Sequence, residues 1–180
     1  MSRSFDRLVP LILMLGLVSS PSLSQTPAPA GALAEARADV PAQAPVSAPA
    51  YGPPIGLEAA QGLVDRAIVA ARARGFRMAV AIVEPSGELV AFARMDDTQY
   101  GSIYVAQKKA STAARYRMAT SAMEERTLAG RTVTLANDDS LPIAGGIPIV
   151  VEGRIVGAIR VSGAAAAEDN QIALAALAPR

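Results

Sequence analysis

The 180-residue chain contains no histidine and no cysteine. Without histidine it lacks the commonest ligand for zinc, copper and haem iron and the usual general base near neutral pH. Without cysteine it has no disulfide, and because no cysteine follows the N-terminal apolar run, a bacterial lipoprotein anchor is excluded. The same lack says little about compartment, since a domain of ordinary size builds a core that folds without disulfides. An excess of one charge sign is missing too. Seventeen Lys and Arg face sixteen Asp and Glu, a net charge of +1, with the signs mixed along the chain. No basic stripe of the kind nucleic acid requires is present, which argues against a nucleic-acid partner.

The N-terminus places Arg3 and Arg7 before an apolar run over residues 8–18, then small residues ending Ser22-Leu23-Ser24. That order is the layout of a secretory signal peptide, residues 1–24, with cleavage expected after Ser24. The run is short for a membrane span, so no stable span is expected after cleavage; an uncleaved N-terminal anchor is the alternative. Residues 25–54 are dominated by alanine and proline with no periodic apolar face. Such a composition buries too little surface to offset ordering entropy and reads as a disordered, partly extended linker. A periplasmic or secreted location follows as the expectation, with residues 55–180 as the folded domain.

Within that domain Leu57, Ala60, Leu63, Val64, Ala67, Ile68 and Ala71 recur at three- and four-residue spacing, with Gly75 placed to end a helix. Met78, Val80 and Ile82 alternate with the smaller Ala79, Ala81 and Val83, and Pro85-Ser86-Gly87 turns the chain into residues 89–95, a first hairpin. Ser102 is placed to cap a helix through Tyr116 whose narrow face is Ile103, Ala106, Ala110, Ala113 and Ala114. Ser121 and Glu124 have capping-box spacing for a short helix ending near Gly130. Glu168 and Asp169 suit the positive end of a last helix, with Ile172, Ala173 and Ala176 facing inward.

A glycine-punctuated segment, residues 141–163, reads as a second hairpin. Two β-branched runs flank Glu152-Gly153, where glycine can take a positive φ. Pro148 fits an edge strand or a bulge because it cannot donate to the ladder. Gly145-Gly146 and Ser162-Gly163 leave bare backbone at the hairpin ends, suited to sharp bends or to close approach of a ligand. The two hairpins imply an α/β (α+β) fold in which one antiparallel sheet is covered by helices.

Several ordered motifs over residues 57–177 point to a family: Lys109-Ala110-Ser111-Thr112-Ala113, Gly145-Gly146-Ile147-Pro148, Val161-Ser162-Gly163, Glu84-Pro85-Ser86-Gly87 and Phe92-Ala93-Arg94-Met95-Asp96. Together they resemble the GlcG/HbpS family, which also occurs as a domain attached to some corrinoid adenosyltransferases. The resemblance implies a profilin-like arrangement and a homo-oligomer, commonly an octamer. It also implies a haem-binding or haem-degrading role, with cobalamin linked to some related domains. Since the chain has no histidine, histidine-ligated cobalamin cannot form within it. For haem the axial candidates are Thr112, Tyr100, Tyr104, Tyr116, Met95, Met118 or a lysine, and Thr112, inside the family helix motif, comes first.

Lys108 and Lys109 diverge by about a hundred degrees on one helix, so one faces solvent while the other can meet an anionic group, aided by Arg94 or Arg115. The alternative is solubilising charge or intersubunit salt bridges. The chain departs from the family where Arg160 precedes Val161-Ser162-Gly163, a position the family usually fills with glycine. Either the glycine served close packing or Arg160 projects into the site and favours an anionic ligand. Gly145-Gly146 is too sparse for a phosphate loop, and the pairs Asp96-Asp97 and Asp138-Asp139 read as solvated loop carboxylates more readily than as a hard-cation site. The expectation is an exported, oligomeric small-ligand-binding protein with haem or another tetrapyrrole as ligand and Thr112, Lys109, Arg94 and Arg160 as binding residues. One alternative is an enzyme on a small carboxylate or oxo-acid with Glu84 as base. Another is a structural oligomerisation module.

Overall fold

A computed structural model describes residues 48–179. The signal-peptide reading of residues 1–24 and most of the linker, residues 25–47, lie outside the described residues. Within them the order is β1 (Ala50–Tyr51), α1 (Leu57–Ala73), β2 (Ala79–Val83), β3 (Leu89–Arg94), α2 (Gly101–Tyr116), α3 (Thr120–Leu128), a 3-10 turn (Thr132–Ala136), β4 (Gly146–Val151), β5 (Arg154–Ser162) and α4 (Ala166–Leu177). No described helix is long and apolar enough to cross a membrane.

The sheet is built around β5. Strand β4 runs antiparallel along one edge of it, from Gly146 opposite Arg160 to Val151 opposite Arg154. On the other side β2 pairs antiparallel with the C-terminal half of β5, and β3 completes the sheet beyond β2. The expected antiparallel sheet covered by helices therefore forms, with one parallel addition. Ala50 and Tyr51 pair with Arg154 and Ile155, and the Gly52 and Ile55 amides donate to the Ile155 and Val156 carbonyls at 2.8 Å. The folded domain thus starts before Ile55. This strand is held by backbone bonds, which alanine and proline composition does not reveal.

The alternation along β2 separates two buried faces rather than an inside from an outside. Met78, Val80 and Ile82 join Ile159 and Val161 beneath α1 and α4. Ala79, Ala81 and Val83 join Ala158 beneath α2, which meets them with Ala106, Ala110, Ala113 and Ala114. Small residues on both sides let the helix axis approach the sheet closely, so α2 is fixed at short range.

Two helix starts differ from expectation. Helix α2 begins at Gly101 after Tyr100, whose backbone is already helical, and the Ser102 and Ile103 amides donate to Gln99 and Tyr100 carbonyls. Ser102 therefore lies inside the first turn and not at its cap; its hydroxyl is buried without a partner. Helix α3 begins at Thr120, one residue before the expected capping box, with Ala119 at its cap. The second hairpin forms as read: Glu152 and Gly153 have φ of 50° and 73°, the paired positive values of a type I′ turn. Pro148 lies in β4, which among the described residues pairs only with β5, and the register shifts just after it between Ile149 and Val150.

Candidate functional site

The long helix α2 presents Lys109 on the side facing the β4 and β5 ends, while Lys108, one residue earlier, remains half-buried. Lys109 is 4% exposed, and its ammonium donates to the Ala144 carbonyl at 3.3 Å. From β5, Arg160 points to the same side of the sheet and is fully buried. Its Nη2 donates to Asp169 Oδ2 at 2.7 Å, and Asp169 also accepts the Gly163 and Ala164 amides at 3.1 and 2.9 Å. Asp169 therefore stitches the end of β5 to the first turn of α4 while answering the arginine charge.

Glycine at 145 is a steric requirement of this arrangement. A Cβ there would run into the Arg160 guanidinium, and the residue sits at φ 117°. A Cβ at Gly146 would strike the Lys109 carbonyl, and the Gly146 amide donates to the Thr120 hydroxyl at 2.8 Å. What packs against the bare backbone of these two glycines is the protein's own Arg160 and α2.

The electrostatics follow from burial. Loss of solvent pulls the Lys109 ammonium down to about 8, with repulsion from Arg160 second and attraction from Asp169 and Glu124 opposing. Loss of solvent also lowers Arg160 to about 10, against the pull of Asp169 and Glu124. Asp169 is raised by its burial, although the Ala164 amide, Arg160, Lys109 and the Gly163 amide favour its charged form. Two buried cations thus share one buried carboxylate, with Glu124 on the half-buried face of α3 at longer range.

Of the residues expected to bind a ligand, Lys109 and Arg160 come together. Thr112 lies one turn along α2, fully buried, its hydroxyl donating to the Lys108 carbonyl at 2.7 Å and accepting the Leu141 amide at 2.9 Å. That hydroxyl fastens the loop before β4 to α2. Arg94 stands apart at the exposed end of β3, its guanidinium 5.3 Å from the centre of the Tyr100 ring. Arg115 holds the first hairpin turn and the polar loop, donating to Ser86 O at 2.6 Å and pairing with Glu88 at 3.2 Å and Asp139 at 3.4 Å. Glu84 accepts the Ser86 hydroxyl at 2.7 Å inside that turn.

Two concavities matter for a flat ligand. A groove of about 730 Å³ runs between α1 and the β4 edge, lined by Ile55, Leu63, Ile149, Val150 and Val156, with Glu58 and Arg66 at its polar positions. A more enclosed cleft of about 330 Å³ lies between the C-terminus of α2, α3 and the 3-10 turn. It brings together Tyr116, Met118, Met123, Arg126, Arg131 and Asn137. The Asn137 amide donates to Tyr116 Oη at 2.5 Å, and Arg126 Nη1 lies 4.0 Å from the Met118 sulfur.

Residues 55–178 match the family model described as haem degrading protein HbpS-like. The chain belongs to this HbpS-like family. It is 37% identical to protein GlcG of Escherichia coli K12 over 92 residues, 51% of this chain and 69% of that protein. A double mutant of Streptomyces reticuli HbpS superposes with a TM-score of 0.65 at 30% identity, covering 78% of this chain and 96% of that one. A protein solved as the PduOC:Heme complex superposes with a TM-score of 0.63 at 25% identity, covering 69% of this chain and 93% of that one.

On this HbpS-like framework, two parts of the site escaped sequence reasoning. The sequence marks Asp169 only for the helix dipole; the signal for its second role is Arg160 itself, a charge set in an apolar strand and therefore in need of a carboxylate. Arg126, Arg131 and Asn137 carry no spacing that marks them, because they reach Tyr116 and Met118 only through the fold of α3 and the turn after it.

Proposed function

We propose that this HbpS-like protein binds haem or a closely related tetrapyrrole in the cleft between α2, α3 and the 3-10 turn. The observation that carries the reading is that this cleft gathers two iron-ligating side chains, Tyr116 and Met118, with two guanidiniums, Arg126 and Arg131. A phenolate or thioether suits haem iron, and arginines suit propionates. Met123 and Val133 supply apolar surface for the macrocycle. Asn137 would keep the Tyr116 oxygen oriented. The larger groove beside β4 offers only the Glu58 carboxylate as a metal ligand. Family membership and the haem complex of the PduOC relative support the choice of ligand.

Export to the periplasm or medium is part of the proposal and rests on the order of basic, apolar and small residues over 1–24. Assembly into a homo-oligomer is likewise proposed. Its support is the outer edge of β4, where Val150 and Val151 are about half exposed. Titrating the purified protein with haemin and following the Soret band tests the ligand. Saturable binding with a shifted band is expected, and a linear, featureless response would refute the reading.

A further inference from the structure

The cluster at the β4 and β5 ends has more cationic donors than the protein answers. Arg160 uses Nη2 on Asp169, but Nε and Nη1 are buried with no hydrogen-bond partner. Lys109 has three N–H donors and spends one on Ala144 O. Both cationic ends lie against the same short segment, Ala144 and Gly145. The charges facing them come from α4 (Asp169) and from α3 (Glu124), and only Asp169 makes an ion pair among the described residues. Glu124 is partly solvated, so its field is screened.

A buried, unanswered positive charge is costly, and a chain that keeps one either sheds the proton or recruits a counter-ion. We propose that Lys109 and Arg160, roofed by Ala144 and Gly145, form an internal binding site for a small monovalent anion such as chloride or formate. Nη1 of Arg160 and the remaining ammonium hydrogens of Lys109 are its donors. Arg160 packs closely against Gly145 and is fully buried, so only a small anion is proposed. The site is separate from the Tyr116 and Met118 cleft and does not depend on haem binding there. Because the anion neutralises the excess charge, its binding must favour the protonated Lys109 and hold it charged to higher pH.

The test compares thermal unfolding of the whole protein in sodium chloride, sodium formate and sodium gluconate at equal ionic strength, free of haem. Chloride and formate are expected to raise Tm in a saturating way, by roughly 3 °C or more at high occupancy, whereas bulky gluconate does not. The volume-matched Lys109→Met removes the difference between the salts. In the unmutated protein the Lys109 amine, followed by NMR of labelled lysine, is expected to titrate near 8 in gluconate and higher in chloride. Equal Tm in all three salts, with a Lys109 titration that ignores the anion, would overturn the proposal and leave water as the partner of Arg160.

Discussion

The Arg160 guanidinium and the Asp169 carboxylate meet at 2.7 Å with both side chains closed off from solvent, 0% and 4% exposed. Removing one partner leaves the other as an uncompensated buried charge. The two removals are unequal, because Asp169 without Arg160 still accepts the Gly163 and Ala164 amides. Asp169→Ala is expected to cost about 3–5 kcal/mol by urea unfolding, and Arg160→Met distinctly less. Equal losses would mean that the amide bonds to Asp169 contribute nothing.

Lys109 makes stability depend on alkaline pH. Its folded pKa, about 8, lies below the ordinary 10.5, so between those values the unfolded chain holds a proton that the folded protein has released. Folding stability from this group therefore rises with pH across that window and is flat below about pH 8. The full effect is on the order of 3 kcal/mol. Unfolding free energies of the protein and of Lys109→Met, measured from pH 7 to 10.5, should differ by an amount that changes only above pH 8. A constant difference would contradict the burial of a chargeable amine.

Gly145→Ala is expected to cost about 2 kcal/mol or more, since the new methyl meets the Arg160 guanidinium and the residue must keep a φ of 117°. If the collision with Arg160 dominates, Arg160→Met in the same chain recovers part of the loss. Loss unchanged in the double variant would assign the effect to backbone strain alone.

The alanine interface between α2 and the sheet has no room to expand. Ala110→Leu is expected to destabilise by about 1–3 kcal/mol through overpacking against the sheet face of Ala79, Ala81 and Ala158, readable as a lower urea midpoint. An unchanged midpoint would show that α2 shifts freely over the sheet.

The hairpins and the long helices were legible because their signals are local: β-branched runs around Glu152-Gly153, three- and four-residue spacing along α1, alternation along β2. What the alternation could not tell was that both faces of β2 are buried, since Ala79 and Ala81 suit a solvent face as well as a close-packed helix. The strand at Ala50 and Tyr51 was hidden because it is held by backbone bonds to β5 and by the Tyr51 hydroxyl on the Arg115 carbonyl, partners that local composition does not show. Caps failed where the helix begins before the expected cap, as at Ser102, which the turn at Gln99 and Tyr100 places inside α2. In the site, Lys109 was legible from its helix motif and Arg160 from its place where the resembling family usually has glycine. Their meeting depends on the crossing of α2 over β5, which no local spacing encodes. Thr112 was conspicuous in its motif, yet its hydroxyl is committed to Lys108 and Leu141, a loop-fastening role visible only once residue 141 is placed beside α2.

The central claim is tested most directly by parallel haemin titrations of the protein, Tyr116→Phe, Met118→Leu and Thr112→Ala, read at the Soret band. The account predicts a saturable, shifted band in the protein and in Thr112→Ala, with affinity weakened roughly tenfold or more in Tyr116→Phe or Met118→Leu. Binding abolished by Thr112→Ala while Tyr116→Phe and Met118→Leu bind normally would contradict the cleft as the haem site.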